Sequence, residues 1–218
     1  MLAYVSWHLP APAVRAAAFE QALERFHRSL AHRPPSGFRG SAAFRARGLP
    51  WLGHDVGAGP ASEGAGPASE GAGSASGDAG SVSTYEDWYL VDGWSAVGVL
   101  EEAAVARGHQ SSHAAVAAMT SVSKGAIYRL IEGLPRLERA PLAVWVKRSP
   151  GHAPVTLEDL LADGMAGDEA GLWRRCLGLG PAPEYCLLAV EAPAGVSPSR
   201  LPAGWRAMAI SRELLWSG

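Results

Sequence analysis

Two scarcities stand out in this chain of 218 residues: it has only two cysteines, and Arg supplies seventeen of its nineteen basic residues. Cys176 and Cys186 stand in apolar settings, WRRCLGL and EYCLLAV, without metal-ligand spacing. Neither a disulfide framework nor a cysteine metal centre is predicted, and both read as buried thiols. Charge of one sign is also lacking. The formal net charge is −2, which excludes a protein that holds nucleic acid by its overall field. The Arg bias comes with abundant Ala and Gly, a pattern that a GC-rich genome produces, and it is not read as phosphate binding. Arg15, Arg25, Arg28, Arg33, Arg39, Arg45 and Arg47 crowd the first fifty positions and read as a solvated face with strand edges.

No apolar run reaches the ~18 residues that a spanning helix needs, so no membrane partner is predicted. The N-terminus has no basic region, and His8 and Pro10 interrupt its apolar stretch. A secretion leader is not expected, and the cytoplasm is the default. Familiar catalytic signatures are missing too. GxSxG and HExxH do not occur, and the Gly-rich run follows no strand-to-helix pattern that would cradle a phosphate. LGLGPAP, Leu177 to Pro183, reads as a helix stop and turn.

What is present begins with a repeat. GAGPASE runs from Gly57 to Glu63, recurs at Gly64 to Glu70, and decays into GAGSASG at Gly71 to Gly77. Gly and Pro fill the positions a coiled coil keeps apolar. Ordering residues 57–83 costs on the order of 30–50 kcal/mol of chain entropy, with almost no apolar side chain to offset it. The segment is predicted to be a disordered insert.

Around it the periodicity is readable. LAYVSWH, Leu2 to His8, is strand-like. From Val14 to Leu30, Phe19, Leu23, Phe26 and Leu30 make one helical stripe, which His32 to Pro35 ends. Gly37 to Arg47 alternates as a strand. TYEDWYLVDGWSAVGVLEEAAV, Thr84 to Val105, reads as strand into helix, with Asp92 or Gly93 at the junction. A further helical piece follows Ser111 or Ser112, and Gly125 to Glu132 is a strand. In the second half, strands are predicted at Pro141 to Arg148, Glu184 to Glu191 and within Trp205 to Trp216. Helical pieces are predicted from Thr156 and at Leu172 to Leu177.

The order through residue 132, β-α-β-β-α-β, resembles the ferredoxin-like unit. LAYVSWH, AFEQALERFHRSL and the Thr84 to Val105 block carry that resemblance. With a shorter unit at 140–218, the chain resembles the dimeric α+β barrel group, whose members include cofactor-independent monooxygenases, small isomerase-like enzymes and haem proteins. The match is one of element order, over about the first 60% of the chain. It implies an α+β fold in two domains, 1–132 (interrupted at 57–83) and 140–218. It also implies sheets with helices on one face only, a cavity between the bare faces, and a homodimer.

In that arrangement Ala3, Val5 and Trp7 face the helices, while Leu2, Tyr4, Ser6 and His8 face the cavity. The third strand offers either Tyr85, Asp87 and Tyr89 or Glu86, Trp88 and Leu90, since a one-residue slip exchanges the faces. Aromatic walls with polar tips and a carboxylate suit a small-molecule ligand. His8, Asp87 and Arg129 are the candidate proton-transfer and anchoring residues. Arg39, Tyr85, Glu86, Trp88 and Tyr89 are the candidate substrate contacts. The competing reading of the same residues is a set of structural ion pairs with packed rings.

His109 and His113 have helical i, i+4 spacing but no third ligand near, so no metal site is predicted. His54 and Asp55 are adjacent, which disfavours their facing one another as a dyad. The leading function is proton transfer, or cofactor-free oxidation of an aromatic or polyketide-like substrate, with no cofactor identified. Two other readings stand beside it: a non-catalytic protein that self-associates through the same sheet face, and a haem protein using His109 or His113.

Overall fold

The computed structural model describes residues 1–52, 83–106, 108–134, 136–152, 156–162, 171–179, 182–191 and 200–218. The repeat insert, apart from residue 83, and the His54–Asp55 pair lie outside them. Strands β1 (Leu2–Pro10), β2 (Phe38–Ala46), β3 (Thr84–Val91) and β4 (Thr120–Gly133) and helices α1 (Ala16–His32), α2 (Trp94–Val105) and α3 (Gln110–Met119) follow the order β1-α1-β2-β3-α2-α3-β4. Strands β5 (Leu142–Arg148), β6 (Gly171–Leu179), β7 (Tyr185–Ala189) and β8 (Trp205–Ser217) follow, with one short helix, α4 (Glu158–Ala162), between β5 and β6. No described helix is long and apolar enough to cross a membrane.

Local chemistry explains the elements of the first half. In α1 the buried residues are Phe19, Ala22, Leu23, Phe26, His27 and Leu30, one continuous stripe at helical spacing. Pro34 and Pro35 follow directly on its end. Gly37 (φ 78) then turns the chain into β2; a Cβ there would lie 2.6 Å from the Cβ of Ala96, so the glycine also lets α2 approach. Every residue of β3 is buried, because this strand has neighbours on both edges and cover on both faces.

The strands close into one antiparallel barrel in the order β1-β3-β2-β8-β5-β7-β6-β4. β2 joins β8, and β4 joins β6, so the two halves of the chain share one sheet. The first half contributes β4-β1-β3-β2 and the second β8-β5-β7-β6, the same relative order. At the β2–β8 seam, Ser41 and Gly218 exchange backbone hydrogen bonds of 2.7 and 3.1 Å. The α+β ferredoxin-like sheet and the dimeric α+β barrel expected from element order are therefore corrected. The architecture is a closed eight-stranded antiparallel barrel with few helices. Leu172 to Leu177, expected as helix, is part of β6. Leu172 packs on the outer face of the barrel and Trp173 on the inner, and from Arg174 onward the strand is largely exposed, so no regular polar alternation marks it as strand.

Three apolar layers result. Inside the barrel lie Ala3, Val5, Trp7, Phe44, Trp88, Tyr128, Trp145 and Trp173, with Trp51 packed edge-to-face against Trp7 and Trp145. Between the first-half strands and α1–α3 lie Leu2, Phe19, Leu23, Phe26, Tyr85, Tyr89 and Ile127. The third layer joins Val144, Val146, Leu172 and Leu187 to Leu157 and Leu161 near α4. Burying each large side chain contributes ~1.5–3 kcal/mol. The expected faces of β1 are reversed: Ala3, Val5 and Trp7 point inward, while Leu2, Tyr4, Ser6 and His8 lie on the helix side. Both faces of this strand are buried, so alternation carried no signal of which was which. The bare face does not enclose a void, because packed indoles occupy it.

Candidate functional site

Neighbouring residues of β3 send two carboxylates in opposite directions, and both are fully buried. Glu86 points into the barrel. Its Oε1 accepts hydrogen bonds from Arg212 Nη1 (2.7 Å) and Trp88 Nε1 (2.7 Å), and its Oε2 accepts one from Trp7 Nε1 (3.1 Å). Arg212 also donates to the carbonyl of Ala140 and lies 4.0 Å over the Phe44 ring. This is a closed unit, with every carboxylate oxygen taken.

Asp87 points the other way, toward the helices. His8 Nε2 lies 3.0 Å from its Oδ2, and His27 Nε2 lies 3.4 Å from its Oδ1. The Tyr89 hydroxyl donates to Oδ2 at 3.3 Å. His27 comes from the buried stripe of α1, and its Nδ1 is 2.8 Å from Ser41 Oγ on β2. Its ring also stacks on Tyr89, 5.0 Å between centroids and 1° from parallel. His27 is thus fixed from three sides. Burial alone would raise the Asp87 carboxyl; the bonds and charges of His27 and His8 outweigh it and hold the group below the usual carboxylate range.

Beside this cluster is a cavity of about 340 Å³ between the barrel wall and α1–α3. β1 lines it with Tyr4, Ser6 and His8, and β3 with Asp87 and Tyr89. The helices add Phe26, Leu100, Glu101, Ala104, His113, Val116 and Ala117, and β4 adds Thr120 and Ser123. Apolar walls with a few convergent polar groups are the usual make-up of a small-molecule site. Tyr4 and Tyr89 stack at 6.0 Å. Burial, then the nearby acids, raise both phenols above their ordinary value, so both stay protonated and act as donors. Gly125 makes room for Tyr4: a Cβ at that position would lie 2.9 Å from the Tyr4 hydroxyl.

His8 is the group with reactive capacity here. Asp87 accepts the proton-bearing Nε2, which leaves the lone pair on Nδ1. Nδ1 is buried and has no hydrogen-bond partner. Ser41, His27 and Asp87 resemble a nucleophile–base–acid series, but Ser41 is buried away from the cavity wall and serves to orient His27.

Of the residues singled out from sequence, His8, Asp87 and Tyr89 meet in this wall. Tyr85 is on the same face but packs on Phe19 and donates to Glu20 at 2.9 Å; burial and that bond push its phenol up to about 12. Glu86 and Trp88 are inside the barrel. Arg39 is exposed, paired with Asp92 at 2.5 and 3.0 Å, and Arg129 is exposed on β4; neither lines the cavity. His109 ties α3 to α1, with Nδ1 3.0 Å from Ser29 Oγ and Nε2 3.1 Å from the Arg33 carbonyl, so both its ring nitrogens are engaged. His113 lines the cavity against Phe26. Among the described residues no group of three or more His, Cys, Asp or Glu is placed to hold a metal ion.

His27 was not singled out from sequence. Its position four after Leu23 and eight after Phe19 puts it on the apolar stripe, and that was the available signal. No known family model and no curated protein matches the chain.

Proposed function

We propose that the cavity under the helices binds a small neutral or cationic molecule, and that His8 takes a proton from it. One observation carries this reading: the imidazole of His8 lines the cavity and is held through Nε2 by the buried Asp87, with Nδ1 unpartnered; Nδ1 is itself buried, so it meets the ligand once the ring turns toward the cavity. A carboxylate that fixes the tautomer and stabilises the imidazolium is what a general base requires. The lining supports the ligand class. Among the described residues it holds two acids, Asp87 and Glu101, and no Lys or Arg, with the rings of Tyr4, Tyr89 and Phe26 alongside. An anionic ligand would meet repulsion there, and a cation would meet acids and ring faces.

The test is a two-stage one. Thermal-shift screening of small aromatic amines, neutral aromatics and matched carboxylates should yield stabilising ligands among the first two classes only. For a ligand found, proton NMR in deuterated buffer should show exchange of its acidic C–H on the native protein. His8→Ala should retain binding and lose the exchange. Equal exchange by His8→Ala, or stabilisation by carboxylates alone, overturns the proposal.

A further inference from the structure

A second cavity, of about 230 Å³, opens at the end of the barrel where β5 finishes and β8 begins. Its walls include Pro50, Trp51, Lys147, Arg206 and Met208. Alternation places Lys147 on the inward face with Ala143 and Trp145, and Arg206 on the inward face with Met208 and Ile210. These two cations are direct register partners across the β5–β8 pair. Like charges directly opposite destabilise a sheet, so a protein that carries such a pair ordinarily supplies a counter-charge. Among the described residues none is present: those that line the cavity include no carboxylate, and neither side chain has an ion-pair or side-chain hydrogen-bond partner.

Two further observations mark the same place. The chain has only two lysines, and both are here. Lys124 donates to the carbonyl of Trp51 at 2.7 Å and pins the residue that lines the cavity. Trp51 is 4% exposed, and its indole Nε1 is buried without a hydrogen-bond partner. A buried donor left open is costly unless something accepts from it. Arg148, also in the lining, is already engaged by Glu184 at 4.0 Å and by the His152 carbonyl.

We propose that this barrel mouth is a phosphoryl-binding site, separate from the cavity under the helices. Lys147 and Arg206 hold the dianion, and Trp51, Pro50 and Met208 provide an apolar wall for whatever the phosphoryl group is attached to. Two adjacent cations without a counter-acid match a doubly charged tetrahedral oxyanion, with Arg able to give two parallel bonds and Lys a point charge.

Isothermal titration calorimetry at a constant ionic strength of about 150 mM, with chloride as the exchanged ion, tests this directly. The probes are inorganic phosphate and phenyl phosphate. Saturable binding of either is expected for the native protein. Lys147→Met with Arg206→Met should weaken it by about tenfold or more, while Arg206→Lys should change it by only about threefold. Tighter binding of phenyl phosphate identifies a phosphomonoester as the ligand, and equal binding identifies free phosphate. Both uphold the site. Absence of saturation by either probe, or a folded double variant that binds like the native protein, overturns it. Thermal melting of the double variant confirms that it is folded, since removing two opposed cations should raise its midpoint or leave it unchanged.

Discussion

Glu86 and Asp87 are one residue apart, equally buried, and differently employed. Glu86 is met by a guanidinium and two indole N–H groups, and it does not line the cavity under the helices. Asp87 is met by two imidazoles and a phenol, beside an open volume. The difference teaches that burial of an acid does not by itself mark a site. What separates the two is whether the partners can change protonation, and whether a ligand has somewhere to stand.

The largest effect should come from the inner pair. Arg212→Met leaves Glu86 buried without its counter-charge and should cost ~3–5 kcal/mol in urea unfolding. A loss under ~1 kcal/mol would show that Arg212 does not neutralise a buried Glu86 charge. Next in size is Asp87→Asn, which keeps the shape but gives up charge-assisted bonds, for ~1–3 kcal/mol at neutral pH.

That second loss carries a pH signature. The Asp87 carboxyl titrates lower in the folded protein than in the unfolded chain. Its contribution is therefore fully present above the ordinary Asp value of about 4, and is lost as pH falls from there toward the folded value. The stability gap between native protein and Asp87→Asn should narrow as pH is lowered through that range, read from denaturant midpoints. A gap that is constant or widens toward acid would contradict the assignment.

Smaller still is Gly125→Ala. The added methyl meets the Tyr4 ring, so ligand-induced thermal shifts should fall while the unliganded midpoint moves by no more than ~2–4 °C, equivalent to about 1 kcal/mol. Smallest of all, deletion of residues 57–83 should leave the midpoint within about 2 °C, because Gly, Ala, Ser and Pro bring little apolar surface to a core. A large drop would show that the repeat contributes to the fold.

Helical and strand periods located α1, β1, β2, β3, α2 and β5 to within a few residues, because those segments carry an apolar stripe or clear strand composition. Closure of the sheet was not readable. It depends on β2 finding β8 and β4 finding β6, pairings between distant segments that no local pattern announces. The same gap hid Arg212, which meets Glu86 from 126 positions away. For the site, strand composition pointed to Asp87 and Tyr89, and a strand-end histidine to His8. Arg39 and Arg129 were drawn in by the need for a cation opposite the acid, and histidines fill that role instead. His27 lies on the α1 stripe, where a run of Phe and Leu reads as packing alone.

The indoles inside the barrel have an optical consequence. Trp7, Trp51, Trp88, Trp145 and Trp173 form a contiguous set with neighbouring ring centroids 5.3 to 6.0 Å apart. Chromophores held that close in a fixed chiral arrangement couple their transitions, so the set should give an intense near-ultraviolet circular dichroism couplet that vanishes when their mutual packing loosens. The protein therefore carries an intrinsic gauge of barrel integrity, spectrally apart from the tyrosine-lined volume under the helices.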